Sequence, residues 1–252
     1  MRTYLILSLS LLWATVAKGQ SNTDMMKAIM GGQGQVEQDN SPFKPLGFTG
    51  SYTWVINSYK GGTLDKDSPM LLRMAFDDEH MAWEPQARPN EGAMRMIFDL
   101  KNKVNYTLMT DEKGKRTGVK MKAMRITMND ADHASDEATQ VVRTQETKVI
   151  DGHTCRKYTY KDEEGSGVAW IAEDVKFNAF EALGSMVGAR ADLWQMAPYQ
   201  GMVMENTWTS ADGGERVEMS TRDLVIGKVD KALFSTDGYE LQDMTNLPVF
   251  GR

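Results

Sequence analysis

Residues Lys148 to Tyr160 read KVIDGHTCRKYTY and carry the single cysteine of the 252-residue chain, Cys155, two positions from His153, one of three histidines. A thiol beside an imidazole can act as nucleophile and base, as half of a metal site, or as two ordinary side chains on a strand. A nucleophilic cysteine needs a thiolate stabilised by a helix N-terminus or a nearby cation, and a base oriented by a third group. Here Asp151-Gly152 is a tight-turn pair between a strand ending at Ile150 and one starting at Thr154. A regular pleat then sends Cys155, Lys157 and Thr159 to one face and Arg156, Tyr158 and Tyr160 to the other. No third orienting group accompanies the pair, and no second ligand pair completes a zinc motif. The stretch therefore reads as structural, with no catalytic residue and no metal ligand assigned.

Two other residue patterns could do chemistry. Met94 and Met96, Met121 and Met124, and Met202 and Met204 offer thioethers that suit Cu(I), in a chain with 19 methionines. Most of them stand in the apolar phase of strands, so their positions are explained by flexible, polarizable filling of a core or lining of a cavity. The acidic stretches DDEH, Asp77 to His80, and NDADHASDE, Asn129 to Glu137, offer oxygen ligands to Ca²⁺. Neither has the Gly and closing Glu of a helix-loop-helix calcium loop, and the solvated-loop reading stands beside the cation reading. There is no GxSxG elbow, HExxH, phosphate-binding loop or dinucleotide fingerprint. No cofactor is implied. A hydrolase built on carboxylates from separate strands stays open, because such pairs leave no local motif.

The elements that must position these residues begin after a leader. Arg2, an apolar run from Tyr4 to Val16, and the small residues Ala17 and Gly19 have the layout of a secretory signal peptide spanning 1–19. A periplasmic or secreted protein is expected, without a lipid-attachment cysteine at the cleavage point and without a transmembrane segment of about 20 apolar residues. The formal net charge is −6, more negative once Arg2 and Lys18 leave, which makes nucleic acid a poor candidate partner, since binding it requires clustered Lys and Arg. A lone cysteine allows no internal disulfide, so a packed core must supply stability. Residues 20–47 read as a flexible lead-in with one short amphipathic helix around Met25, Met26, Ala28, Ile29 and Met30. Residues 48–252 read as a single β-rich domain.

From Phe48 onward the dominant period is two. Tyr52, Trp54 and Ile56 alternate with polar neighbours, as do Met94, Met96, Phe98 and Leu100, then Val104, Tyr106 and Leu108, then Met202, Met204 and Trp208. Short breaks such as Gly61-Gly62, Lys101-Asn102-Lys103 and Asp212-Gly213-Gly214 punctuate the runs and predict hairpins in an antiparallel meander. One segment differs: Phe177, Phe180, Leu183, Met186, Val187, Leu193 and Trp194 recur at helical spacing. That spacing predicts a helix over 177–196 covering the concave side of the sheet.

The run MRMIFDLKNKVNYTLMTDEKGKRTGVKMK from Met94 to Lys122, the later VIDGHTCRKYTY with Gly152, Cys155 and Tyr158, GVAWIAEDV around Trp170, and ALFSTDGYEL from Ala232 to Leu241 together resemble a secreted bacterial family catalogued as "domain of unknown function 4412". The resemblance covers roughly Phe48 to Leu241. It implies a fold similar to the periplasmic lipoprotein carriers: a single curved antiparallel sheet, an open half-barrel, with a helix over its apolar face. It also implies a lipid or other hydrophobic ligand, by analogy of fold. Trp54, Met94, Met96, Phe98, Trp170, Phe180 and Leu183 are the candidate lining of such a trough. The same residues could equally form a solid core in an envelope protein whose partner is another protein.

Overall fold

The computed structural model describes residues 35–87, 92–127, 140–179, 182 and 201–246. The expected leader, the helix expected around Met25 to Met30, the acidic stretch 129–137, Phe180, Leu183 and most of the helix expected over 177–196 lie outside the described residues.

Fifteen strands make up nearly all the described structure: β1 Gln35–Gln38, β2 Gly50–Lys60, β3 Thr63–Leu64, β4 Met70–Phe76, β5 His80–Pro85, β6 Ala93–Asp99, β7 Val104–Thr110, β8 Arg116–Lys122, β9 Met124–Thr127, β10 Gln140–Ile150, β11 His153–Lys161, β12 Gly165–Ala172, β13 Met202–Ser210, β14 Glu215–Ile226 and β15 Glu240–Asp243. Thirteen of them form one sheet in the order β10-β11-β12-β13-β14-β2-β4-β5-β6-β7-β8-β15, with β3 appended to β2. Two meanders are thus stitched together where β14 pairs with β2. The ends β10 and β15 do not meet, so the sheet is open, consistent with the curved half-barrel that the resemblance implies. Every pairing in it is antiparallel except β15, which lies parallel to β8.

The local reasons are those of the sequence. Asp151 and Gly152 both adopt positive φ, 53° and 84°, the geometry that lets a two-residue turn follow the twist of β10 and β11. Gly167 serves packing instead: a Cβ there would lie 2.2 Å from the Tyr160 ring, so only glycine lets that ring lie flat on β12. One expectation is corrected. Gln35–Gln38, read as part of a flexible lead-in, pairs antiparallel with Met124–Thr127. A backbone ladder of this kind needs no apolar alternation, which is why the polar sequence concealed it.

Cross-strand register assigns each residue to one of two faces. The inner face carries the main core, with Tyr52, Trp54, Leu72, Met74, Phe76, Met81, Met204 and Met219 buried. Phe177 docks onto it, stacked on Phe48 at 4.1 Å and edge-on to Phe76 at 4.8 Å. Aromatic pairs of this kind add about 0.5–1.5 kcal/mol to their area burial. Immediately after it, Ala179 and Ala182 are helical and buried, and the Ala182 N–H donates to the Asn178 carbonyl at 3.1 Å. The segment therefore begins on the inner face, the side on which a cover was expected.

The outer face has a smaller core of Ala75, Ala82, Ile97 and Leu108, covered by Leu233. Leu233 sits in a single 3-10 turn, Lys231–Phe234, within the strap that runs from the end of β14 back to β15. Arg95 Nη1 donates to the Ala232 carbonyl at 3.0 Å, and the Phe234 ring stacks on His80 at 5.3 Å.

Candidate ligand-binding face

Two cross-strand rows define the site. One runs Tyr52, Met74, Trp83, Met96, Thr107, Val119 across β2, β4, β5, β6, β7 and β8; the next runs Phe76, Met81, Phe98, Asn105, Met121. Burial falls along both. Tyr52 is 1% exposed and Met74 0%, whereas Trp83, Met96, Phe98, Val119 and Met121 are half-buried. The packed centre of the inner face thus grades into an apolar strip that the described residues leave part-covered. Met94 and Met109, directly paired, extend the strip. Beyond them a groove of about 500 Å³ opens between β8 and β15, lined by Met109, Thr117, Val119, Glu240 and Gln242.

The candidate lining residues fall into three places. Met94, Met96 and Phe98 stand together on the half-buried strip, and Phe98 meets Trp83 edge-on at 5.8 Å. Trp54 is buried in the packed centre, 5.6 Å from the Tyr52 ring. Trp170 is on the other face: it pairs with Lys157 and Glu205, whereas its neighbour Ala169 pairs with Tyr158 and Asn206. The Lys148 ammonium lies 4.4 Å from the Trp170 ring and bonds the Glu205 carboxylate. Sequence reasoning missed Trp83, although Met81 and Trp83 alternating with His80, Ala82 and Glu84 carry the same period-two signal as the strands that were found.

Buried hydrogen-bonding groups on the inner face that stand without a partner include the Tyr52 hydroxyl, the Trp83 indole Nε1 and, on β11, the Arg156 Nε. Burial holds the Tyr52 pKa well above its ordinary value, so the hydroxyl stays protonated. By contrast Tyr160, on the same face, donates to Asn206 Oδ1 at 3.1 Å.

The Cys155 region is structural. The thiol is fully buried and its pKa is pushed up to about 11, chiefly by that burial. It lies 3.5 Å from the His153 carbonyl, while the His153 ring turns away to Asp174, with Nδ1 2.8 Å from Oδ2. No thiolate-imidazole pair forms. Nearby, Arg143 grips Glu173 with two bonds of 2.7 and 2.8 Å, and Tyr158 donates to the same carboxylate at 2.7 Å. The Arg143 contact above all lowers the Glu173 pKa to about 2.

Among the described residues no group of three His, Cys, Asp or Glu could hold a metal ion. Asp77, in the first acidic stretch, accepts from the N–H groups of Glu79 and His80 and from Lys231 Nζ, so its oxygens are already occupied by donors of the chain. No helix among the described residues is long and apolar enough to cross a membrane.

No family model matches the chain, so the resemblance to "domain of unknown function 4412" finds no such support, and no curated protein matches either. Solved structures match the chain only at low similarity. A structure of PNGF-II is 13% identical over 77% of this chain, with a TM-score of 0.35; the chain spans about a third of it, 31%. A DUF1329 family protein from Desulfovibrio piger is 10% identical over 75% of this chain and 91% of its own, TM-score 0.24. A putative outer membrane lipoprotein-sorting protein domain from Vibrio parahaemolyticus is 10% identical over 75% and 89%, TM-score 0.22.

Proposed function

We propose that this protein is an exported, non-enzymatic binding protein that holds a lipid or other hydrophobic ligand on the inner face of its sheet, along Met94, Met96, Phe98, Trp83, Met109 and Met121. The observation that carries this reading is the burial gradient along the two rows: the same face, in the same register, is a closed core at Met74 and a part-covered apolar surface at Met96. Apolar surface of this kind, here interrupted at β7 by Thr107 and Asn105, is costly to leave against water and favours an interaction site. Methionine suits it, because an unbranched thioether side chain can repack around chains of different shape. Removing that surface from water on binding contributes about 25 cal/mol per Å² of apolar area. The test is native mass spectrometry of protein purified from its own host, followed by thermal denaturation with added amphiphile monomers. A co-purifying lipid and a rise in melting temperature are expected, since a ligand that binds only the folded state stabilises it by mass action.

A second reading is favoured by the outer edge of β10, which no strand among the described residues pairs. This strand runs 11 residues and leaves Val142 58% and Val149 69% exposed. A long edge with apolar side chains can accept a strand from a partner protein of the envelope. In the same mass measurement, a stoichiometric protein partner without lipid would favour this reading over the first.

A further inference from the structure

Resting on the hydrophobic-ligand reading, we propose that Trp83 and Tyr52 form the polar end of the inner-face site and select an uncharged carbonyl acceptor on the ligand, the ester of a long-chain acyl group, over a free fatty acid. Both residues flank Met74 in one cross-strand row, two strand spacings or about 10 Å apart at the backbone. Tyr52 is 1% exposed, and neither its hydroxyl nor the Trp83 Nε1 has a hydrogen-bond partner. An indole N–H can only donate, and a buried donor left unmade is a cost that a ligand's acceptor removes. The row continues through Met96 and Thr107 to Val119, so an acyl chain lying on the strip brings its carbonyl end to Trp83.

The charge of that acceptor follows from the surroundings. Across β2, β4, β5 and β6 the register neighbours of the two donors on this face include Trp54, Leu72, Met74, Phe76, Met81, Met96 and Phe98, all without charge, and on its β14 side Tyr52 lies beside the bulge between Arg222 and Val225, where Asp223 is exposed. Arg156, an inner-face cation, lies on β11, four strands from β2, and spends its Nη1 on the Gln145 carbonyl. A carboxylate placed here would be buried with no countercharge, which is far costlier than burying a hydrogen-bonded ester.

The experiment measures dissociation constants of the full chain for methyl laurate and for laurate at pH 8, with wild type, Tyr52→Phe and Trp83→Phe. The methyl ester is expected to bind the wild type about tenfold tighter or more, and each variant to lose most of that preference while still binding both probes. Tyr52→Phe should leave the ligand-free melting temperature unchanged or higher, because it deletes a hydroxyl with no partner. Equal affinity for the two probes, or an unchanged preference in both variants, overturns the inference and leaves the hydrophobic-ligand reading standing. A clear drop in the ligand-free melting temperature of Tyr52→Phe with the preference intact also overturns it, and assigns the hydroxyl to a buried water. If neither probe binds, the hydrophobic-ligand reading itself fails.

Discussion

Lys231 Nζ lies 2.6 Å from Asp77 Oδ2, a contact between residues 154 positions apart that pins the C-terminal strap to the turn before β5. The partners are unequal. Lys231 is 72% exposed at its side chain, while Asp77 is 8% exposed and also holds two backbone N–H groups. Lys231→Ala should therefore cost no more than about 1 kcal/mol, as exposed ion pairs do. Asp77→Ala should cost about 3 kcal/mol, because it strands donors in a buried turn. Urea unfolding of the two variants measures the difference, and equal costs would refute this account of the latch.

Acid should loosen the same latch. Burial alone would raise the Asp77 pKa, but the bonds from Lys231, the Glu79 N–H and His80 outweigh it and hold the carboxyl below its ordinary value. A carboxylate with a lowered folded pKa contributes stability that is present above its unfolded pKa of about 3.9 and is lost as pH falls through the folded value. The wild-type melting temperature should fall below about pH 4, and Asp77→Asn should show a shallower acid limb. Superimposable limbs would remove Asp77 from the cause.

Cys155 should behave as an inert core thiol. Its raised pKa means that the folded state keeps the proton the unfolded chain releases, so its contribution is intact below the unfolded pKa of about 8.5 and declines as pH rises toward about 11. Alkylation of the native protein at pH 8 should be slow and should become rapid only on denaturation. Cys155→Ser should leave the fold intact and cost about 1–2 kcal/mol. Fast native alkylation would return the His153–Cys155 pair to the list of reactive sites.

The burial gradient predicts a gradient of mutational cost on one face. Met74→Ala and Met81→Ala, both at fully buried positions, should cost about 2–5 kcal/mol. Met96→Ala and Met94→Ala should cost about 1 kcal/mol or less, since half-buried side chains recover less area on folding. The second pair, not the first, should also reduce the melting-temperature rise given by an amphiphile. Core-sized losses at Met94 and Met96 with no ligand effect would make the strip an ordinary core.

Trp170 supplies the control. It stacks under Lys148 on the opposite face, so Trp170→Ala should lower stability while leaving ligand-induced stabilisation unchanged. The cation–π contact accounts for about 0.5–1 kcal/mol of the loss. A selective loss of ligand response would contradict the face assignment.

Much of this molecule was written locally. Alternation in Tyr52-Thr53-Trp54 and in Met94-Arg95-Met96 marks strands because a pleat has period two, and Asp151-Gly152 marks a hairpin because only such residues enter positive φ cheaply. Those signals sufficed for an antiparallel β meander and for placing Met94, Met96 and Phe98 together, while the openness of the sheet was implied only by the family resemblance. They could not place Trp170. Val168 to Ala172 is apolar at every position, so periodicity assigns no face there, and only the pairing with Lys157 and Glu205 sends the indole outward. Nor could they show that Gln35–Gln38 finds a ladder with β9, that Lys231 reaches Asp77, or that the Tyr52 and Trp83 donors lack partners. Each of these depends on which distant strand lies alongside, a property of register and chain path that no local window of sequence contains.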